Sequence, residues 1–168
     1  MVNFVDSDLA IMKVRFVVVG KTDEKYLLEG ISKYEKRLKH YAQYSMEVIP
    51  DVKKSKKLSS ELQKVEEGKE ILSKVAKSDY IVLLDEKGKS FSSKEFAKNL
   101  EKKMVSGVSS IVFIIGGPYG FSDDVYQRAN EKLSLSKMTF SHQMVRLFFV
   151  EQLYRGFSIL KGEKYHHE

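Results

Sequence analysis

Short apolar runs alternate with amphipathic segments along this chain, and they predict five strands separated by helices. Apolar runs without alternation, clearest at 80–85, predict buried strands at 14–20, 46–49, 80–85 and 111–115. A brief fifth strand or extended loop is expected at 133–136. Strands that alternate with helices are typical of a parallel α/β sheet with helices on both faces, and this is the predicted fold class.

Apolar residues spaced three or four positions apart predict helices over 23–41 and 58–75, and a further helix is expected over 123–133. The apolar face expected for the helix 58–75 consists of Leu58, Leu62, Val65, Leu72 and Val75. A capping box that begins another helix is formed by Ser92 and Glu95. The lysine-rich segment 51–57 is expected to be a mobile loop.

The last predicted helix, 143–160, is apolar around most of its circumference. Such a helix must be buried on more than one face, so we expect it to pack on the sheet and on a second subunit. Arg146, Glu151 and Arg155 interrupt its apolar surface. Two interpretations stay open for these charges: internal or interface salt bridges, or arginines that approach a phosphate or an anionic base.

The length of 168 residues favours one domain, which we expect to span 12–168. Residues 1–11 are expected to be an extension, because Met12-Lys13-Val14 would be a natural start leading into the first strand. The extension contains Asp6 and Asp8 and lacks the pattern of a signal peptide. No apolar run reaches eighteen residues, so no transmembrane helix and no membrane partner are expected.

Charge and cysteine content narrow the functional classes. The absence of cysteine excludes disulfides, thiol catalysis and thiolate metal sites, and agrees with a cytoplasmic protein. The net charge of +6 and the isoelectric point near 9.3 favour a polyanionic partner. His142, His166 and His167 lack the spacing of a zinc site, so no metal is expected.

Two segments of the last third carry the strongest chemical signal. The apolar run 111–115 stops in Gly116-Gly117-Pro118-Tyr119-Gly120, and the hydroxyl-rich segment 133–143 leads into the last helix. Open α/β sheets bind ligands at the carboxyl ends of their strands, so these segments predict a small-molecule pocket lined mainly by main chain. A tight strand-to-helix turn is the alternative for the glycines.

Other motifs are less specific. Asp85 and Glu86 follow the third strand, and they either hold a ribose hydroxyl, serve as a base or are solvated acids. Gly20-Lys21-Thr22 resembles the end of a phosphate-binding loop, but Arg15 occupies the position of the required earlier glycine, which disfavours that site. No nucleophile elbow accompanies the hydroxyls near His142.

Five motifs then occur in a fixed order. They are Leu84-Asp85-Glu86-Lys87-Gly88-Lys89 with Ser92-Ser93, Ile114-Ile115-Gly116-Gly117, Leu133-Ser134-Leu135-Ser136-Lys137-Met138-Thr139-Phe140, Glu151-Gln152-Leu153-Tyr154-Arg155 and Tyr165-His166. With this set, the chain from Met12 onward resembles the RlmH family, small SPOUT-class methyltransferases that act on N3 of a pseudouridine in large-subunit (23S) ribosomal RNA.

The resemblance implies a fold, a cofactor and an assembly. The C-terminal part of a SPOUT domain threads through a loop as a trefoil knot, and the protein works as a homodimer. The methyl donor S-adenosylmethionine lies at the knotted, interfacial edge. The implied cofactor-binding residues are Leu84, Gly116, Leu135, Ser136, Lys137, Met138, Thr139 and Phe140.

The resemblance also implies where the reaction is assisted. The candidate residues for stabilising the target nitrogen are Arg155, Tyr165, His166 and His142. We expect the tail, Tyr165 and His166, to close over the target base from the partner subunit. The chain departs from the family pattern at Ser141, where proline is usual, and at His167, where lysine or arginine is usual. The first departure loosens the start of the last helix, and the second removes a permanent charge from the tail.

No separate RNA-binding module is expected beside this domain, so we expect RNA recognition to use its own surface or the assembled ribosome. The candidate phosphate contacts are Lys33, Lys36, Arg37, Lys39, Lys53, Lys54, Lys56 and Lys57. A solvated helix face is the alternative for these charges. Two alternative functions stay open: a ribosome-associated RNA-binding factor without methylation activity, and a SPOUT methyltransferase with another RNA target.

Overall fold

A five-stranded sheet forms the centre of the protein in a computed structural model that describes residues 12–52 and 55–167. The strands are β1 (Lys13–Val19), β2 (Gln43–Ile49), β3 (Tyr80–Ser90), β4 (Ser110–Ile115) and β5 (Glu131–Ser134). The helices are α1 (Lys25–Leu38), α2 (Ser60–Ser73), α3 (Ser93–Val105), α4 (Asp123–Arg128) and α5 (Met144–Leu160). The predicted extension 1–11 lies outside the described residues.

All four strand pairings of the sheet are parallel, in the order β2-β1-β4-β3-β5. The predicted parallel α/β class is therefore confirmed. In a parallel sheet the carboxyl ends of all strands meet at one edge, so the segments that follow β3, β4 and β5 are brought together there.

Helices cover both faces of the sheet, as predicted. On β1, Phe16 and Val18 point into a core shared with α1, α3 and α5, while Val17 and Val19 point into a core shared with α2 and α4. Alternate side chains of a strand project to opposite faces, so both sets are buried. The long helix α5 packs on the sheet and between α1 and α3, because its apolar residues extend around its circumference.

The helix predicted over 123–133 is wrong beyond Arg128. Ala129 is extended, and Asn130 exchanges two hydrogen bonds with the main chain of Ile81: its N–H donates to the carbonyl and its Oδ1 accepts from the N–H. These two hydrogen bonds direct the chain into β5, which begins after only two residues between it and α4. Pairing with β3 therefore overrides the helical pattern.

Strand β3 also continues past its predicted end at Asp85. Its extension pairs with β5 through Lys89 and Ser90, after an irregularity that follows Leu84. A Cβ at Gly88 would lie 2.6 Å from the main-chain nitrogen of Leu133, so the glycine allows the two strands to approach. The local pattern did not predict this extension of β3, because the extension depends on pairing with β5, which is remote in sequence.

The helix predicted over 58–75 exists as α2, but its predicted apolar face is only partly correct, since Leu72 and Val75 pack against the core. Leu62 and Val65 are 54% and 40% exposed, whereas Glu67, Gly68 and Ile71 are buried. Periodicity missed this face because it contains a glutamate and a glycine. The segment predicted as a loop before α2 contains a 3-10 turn at Ser55–Lys57, and the predicted capping box of α3 is confirmed.

An ionic network joins three strands and a loop at the amino edge of the sheet. Arg15 donates to Glu47 Oε2 at 2.9 Å and to Asp79 Oδ2 at 3.4 Å, and Ser110 donates to Asp79 Oδ1 at 2.7 Å. Burial by itself would raise the pKa of Asp79, but hydrogen bonds from the Ala76 N–H and Ser110 and the charge of Arg15 outweigh burial and lower it. Burial is likewise outweighed at Glu47, whose pKa is lowered by Arg15 and Lys74.

This network predicts an acid-sensitive fold. Because the pKa values of Asp79 and Glu47 are lowered in the folded state, their stabilisation is complete above their unfolded values of 3.8 and 4.5 and is lost as pH falls through the folded values. Urea unfolding between pH 7 and pH 2 should show that Asp79→Asn costs about 1–3 kcal/mol at pH 7 and flattens the pH dependence below about pH 4. Glu70→Gln is the exposed control, and equal pH dependence in Asp79→Asn and the wild type would contradict the assignment.

Candidate active site

A cleft of about 580 Å³ lies at the carboxyl edge of the sheet, where the middle of β3 meets the segments that follow β4 and β5. Its walls combine main chain from a glycine-rich turn with apolar and hydroxyl side chains from a second loop. The lining residues are Leu84, Asp85, Glu86, Lys87, Ile115, Gly116, Gly117, Pro118, Tyr119, Gly120, Phe121, Tyr126, Leu133, Leu135, Ser136, Met138, Thr139, Phe140, Ser141, His142 and Val145.

The glycine-rich segment forms one wall of the cleft and is also a tight turn. The Gly120 N–H donates to the Gly117 carbonyl at 3.2 Å, and Gly120 has φ +81°, a conformation that favours glycine. A Cβ at Gly116 would lie 3.1 Å from the Phe121 ring and 3.2 Å from the Gly120 carbonyl oxygen. Both interpretations of the glycines are therefore correct: the segment turns the chain, and its main chain lines the cleft.

The second loop, which follows β5, is shaped by its own hydroxyl groups. Ser134 donates to the Ser136 carbonyl, and the Ser136 hydroxyl accepts from the Met138 N–H, each at 2.9 Å. Thr139 donates to Glu86 Oε2 at 3.1 Å, which joins the loop to the middle of β3. These hydroxyls form turns and contacts between loops, so they hold the cleft in shape.

The structure brings most of the predicted cofactor-binding residues together. Seven of the eight line the cleft, and they are Leu84, Gly116, Leu135, Ser136, Met138, Thr139 and Phe140. Lys137 belongs to the same loop but is absent from the lining, and its side chain is exposed. His142, one of the four predicted catalytic residues, also lines the cleft.

Tyr126 is a cleft residue that the sequence analysis missed. Its hydroxyl donates a hydrogen bond to Asp85 in the middle of β3. Partial burial, followed by this bond and the negative charge of Asp85, raises the pKa of Tyr126 to about 12. Nothing in the sequence pairs two residues 41 positions apart, because their contact depends on how α4 packs beside β3.

The other three predicted catalytic residues form a separate C-terminal cluster. Arg155 Nη2 lies 2.5 Å from Glu151 Oε1, and the same carboxylate accepts from the Tyr165 hydroxyl at 3.0 Å. Arg155 Nη1 lies 3.3 Å from His166 Nδ1. The hydrogen bond with Glu151 raises the pKa of Arg155 despite partial burial, and burial together with bonds to Tyr34 and Glu151 raises the pKa of Tyr165.

The C-terminal cluster and the cleft lie at different places along α5. Val145 lines the cleft and Arg155 belongs to the cluster, so about 15 Å of helix separates them. Within one chain, the cleft therefore contains His142 but none of Arg155, Tyr165 and His166 among its lining residues. Of the two interpretations of Arg155, the salt bridge with Glu151 is the one observed in this chain.

Arg146 is fully buried and has a structural role. It donates to the carbonyls of Val19 and Gly20 at 2.7 and 2.8 Å and to Thr22 Oγ1 at 2.9 Å. Burial lowers the pKa of Arg146, with partial compensation by Asp23 and Asp51. The phosphate interpretation of Arg146 is wrong, because its side chain has no exposed surface. The same bonds engage the Gly20 carbonyl and the Thr22 hydroxyl. This agrees with the sequence, which disfavours a phosphate-binding loop at Gly20-Lys21-Thr22.

Residues 12–52 and 55–167 contain no group of three or more His, Cys, Asp or Glu side chains that could hold a metal ion. Within those same ranges, no helix has the length and apolar character needed to cross a membrane.

Comparison with known proteins decides the family. The profile described as "Predicted SPOUT methyltransferase" matches residues 12–166. This chain belongs to the SPOUT methyltransferase family. Among the relatives of this SPOUT chain, the ribosomal RNA large subunit methyltransferase H of Christiangramia forsetii is 57% identical over 156 residues, 93% of this chain and 99% of the relative.

A second relative, the ribosomal RNA large subunit methyltransferase H of Flavobacterium psychrophilum, is 57% identical over 157 residues, 94% of this chain and all of the relative. The resemblance to the RlmH family is thereby confirmed. A solved structure, a probable methylase family protein from Haemophilus influenzae, superposes with a TM-score of 0.52 at 12% identity, covering 94% of this chain and 72% of that one. That likeness supports the SPOUT fold alone, and the trefoil knot stays a prediction.

Proposed function

We propose that this protein transfers the methyl group of S-adenosylmethionine to N3 of a pseudouridine in large-subunit ribosomal RNA, on the assembled ribosome. The observation that carries the proposal is the cleft at which the glycine end of β4 meets the loop after β5. It occurs in a chain that is 57% identical, over more than nine-tenths of its length, to proteins named ribosomal RNA large subunit methyltransferase H. The proposal treats 12–168 as one catalytic domain and implies a cytoplasmic location.

The cleft has the size and chemistry that a nucleoside cofactor needs. Its volume of about 580 Å³ falls in the range of roughly 300–1,000 Å³ typical of small-molecule pockets. Leu84, Leu135 and Phe140 offer apolar surface to a flat base, and the carboxylates of Asp85 and Glu86 can accept hydrogen bonds from ribose hydroxyls. The residues present therefore fit S-adenosylmethionine, with no need for a metal.

Main chain provides the remaining contacts in this proposal. Gly116 lets the ligand approach the backbone at the end of β4. The N–H and carbonyl groups of the loop 135–140 read the edge of the base, which is why side chains as different as those of Ser136, Lys137 and Met138 serve one site. Lys137 contributes through its main chain, which agrees with its exposed side chain.

In the proposed methyl transfer, the main tasks of the protein are to orient N3 of the target ring and to stabilise the negative charge that develops there. When bound, S-adenosylmethionine supplies a methyl group that its sulfonium already activates. N3 of the target ring carries a proton, and the nitrogen becomes nucleophilic as this proton leaves, so a nearby cation or strong donor stabilises the anion that develops. His142 is the candidate within the cleft, and Arg155, Tyr165 and His166 are the candidates in the C-terminal cluster.

A homodimer would combine the two groups of candidates. On α5, Met144 and Leu147 are half-buried and Phe148 is 40% exposed, next to the equally exposed Phe140 of the cleft. A second copy that covers this apolar stripe would lie beside the cleft. In the proposed dimer, the partner's C-terminal cluster closes the cleft over the target base.

Ribosomal RNA would contact the basic surface of α1 and the lysines before α2. Lys33 and Lys36 are exposed on α1 and Lys39 is exposed directly after it. Tyr34 of the same helix meets the tail through a 3.3 Å contact between its hydroxyl and that of Tyr165. Cations therefore flank the C-terminal cluster, where phosphates on either side of a target base would lie. The other proposed phosphate contacts are Arg37, Lys56 and Lys57, with Lys53 and Lys54, which lie outside the described residues.

The test is transfer of labelled methyl from S-adenosylmethionine to ribosomes and, in parallel, to free ribosomal RNA, followed by mapping of the modified nucleoside. We expect N3-methylpseudouridine, formed faster on ribosomes than on free RNA. Label on another nucleoside would favour a SPOUT enzyme with a different RNA target. No label and no cofactor binding would favour the RNA-binding factor without methylation activity.

A further inference from the structure

Glu67 is a buried carboxylate that none of the roles above uses. It lies on α2, is 2% exposed, and its Oε1 accepts a 3.0 Å hydrogen bond from Gln63 Nε2. Its Oε2 is buried as well and has no hydrogen-bond partner among the described residues. A buried acceptor without a donor opposes folding, so the position of this oxygen calls for an explanation.

The free oxygen faces the main chain of the glycine-rich turn. A Cβ at Gly117 would lie 2.5 Å from Glu67 Oε2 and 2.7 Å from Oε1, so the carboxylate sits directly against this residue. Gly117 also lines the cleft, whereas Glu67 is not among the lining residues. The turn therefore separates the Glu67 carboxylate from the proposed position of the cofactor.

The helix that carries Glu67 is held in place next to the turn. A Cβ at Gly68 would collide with the hydroxyl of Ser122, the residue that caps the start of α4. Gly68 thus lets α2 pack closely against the segment that follows the turn. Because this packing positions the backbone of α2, the carboxylate is presented to the turn by a rigid element.

We infer that Glu67 is a positioning residue for the methyl donor: its Oε2 accepts a hydrogen bond from the N–H of Gly117 or Tyr119 when the donor binds. This bond holds the turn against the ligand. The inference rests on the proposed function, because it concerns the cofactor of the same cleft. It explains why an acceptor without a partner is kept behind a wall made of main chain.

A purely structural role makes a different prediction. Glu67→Gln keeps the shape of the side chain and an oxygen for Gln63, but it replaces the free acceptor by an NH2 group. If Glu67 positions the donor, the variant loses donor affinity while its melting temperature stays equal or rises, because an unpaired buried carboxylate has been removed. If Glu67 only supports the fold, its melting temperature falls and affinity is unchanged.

Isothermal titration calorimetry with S-adenosylmethionine and S-adenosylhomocysteine distinguishes these outcomes. The Kd of Glu67→Gln should rise about tenfold for both ligands, since the bond acts through the main chain and not through the sulfonium charge. Glu70→Gln, an exposed glutamate of the same helix, is the matched control. An unchanged Kd, or a loss confined to S-adenosylmethionine, overturns the inference. Wild-type protein that binds neither ligand would instead refute the proposed cofactor, and the inference with it.

A second measurement uses the wild-type protein and so remains valid if Glu67→Gln fails to fold. Amide hydrogen exchange followed by NMR should show that the N–H of Gly117 or Tyr119 becomes protected when S-adenosylhomocysteine is added. Exchange of both amides at the rate seen without ligand would overturn the inference.

Discussion

Mixing two inactive variants is expected to restore about a quarter of wild-type methyl transfer if the proposed homodimer forms, because half of its randomly formed dimers are mixed and each contains one working site of two. One variant, Gly116→Val, blocks the cleft and keeps the tail. The other, with Tyr165→Ala and His166→Ala, keeps the cleft and loses the tail. The measurement is methyl incorporation into ribosomes by each variant alone and after subunit exchange.

The physical reason is the separation between the cleft and the C-terminal cluster. Val145 and Arg155 are about 15 Å apart along α5, so Tyr165 and His166 of one chain lie away from its own cleft. If the partner supplies the tail, a mixed dimer unites an intact cleft with an intact tail. If each chain uses its own tail, neither site of a mixed dimer is complete.

The controls follow from the same geometry. The tail variant should bind S-adenosylmethionine as the wild type does, while Gly116→Val should not, and both should remain dimers with native circular dichroism. Activity that stays at the level of the separate variants, in dimers shown to have exchanged, would contradict a tail that acts on the partner's cleft.

Replacing Arg146 with methionine is expected to lower the free energy of unfolding by about 3–5 kcal/mol. Methionine fills much of the same volume but donates no hydrogen bond, so the buried carbonyls of Val19 and Gly20 lose their donor. Urea unfolding followed by circular dichroism measures the change.

Lys102→Met is the matched control for Arg146→Met, because Lys102 is an exposed cation on α3. Lys102→Met should change the free energy of unfolding by no more than about 0.5 kcal/mol. A loss below about 1 kcal/mol for Arg146→Met would show that water or a neighbouring donor replaces the guanidinium, and would contradict its role as the tie between α5 and β1.

The sequence predicted the parts of the fold that depend on local pattern. Apolar runs located the cores of the strands, and glycines after β4 together with hydroxyls after β5 located the cleft, because a parallel sheet gathers the ends of its strands at one edge. Ser92 and Glu95 located a helix start because both partners of a capping box are close in sequence.

The parts that it missed depend on distant partners. The extension of β3 exists because β5 pairs with it, and the buried face of α2 contains Glu67 and Gly68 because these residues meet a turn and a cap fifty or more positions away. Local periodicity carries no information on such contacts. For the same reason, neither interpretation of Arg146 anticipated its bonds to the main-chain carbonyls of Val19 and Gly20.

The bonds between Arg146 and the end of β1 also constrain how the chain folds. They join residues up to 127 positions apart, and β4, which pairs with β1, lies almost a hundred residues after it. Contacts between such distant segments close large loops before they gain stability, which slows folding. During synthesis, β1 must therefore wait for β4 before the centre of the sheet can form, and for α5 before its carboxyl end is tied down. The nascent chain should thus remain vulnerable to proteolysis until its last helix has emerged.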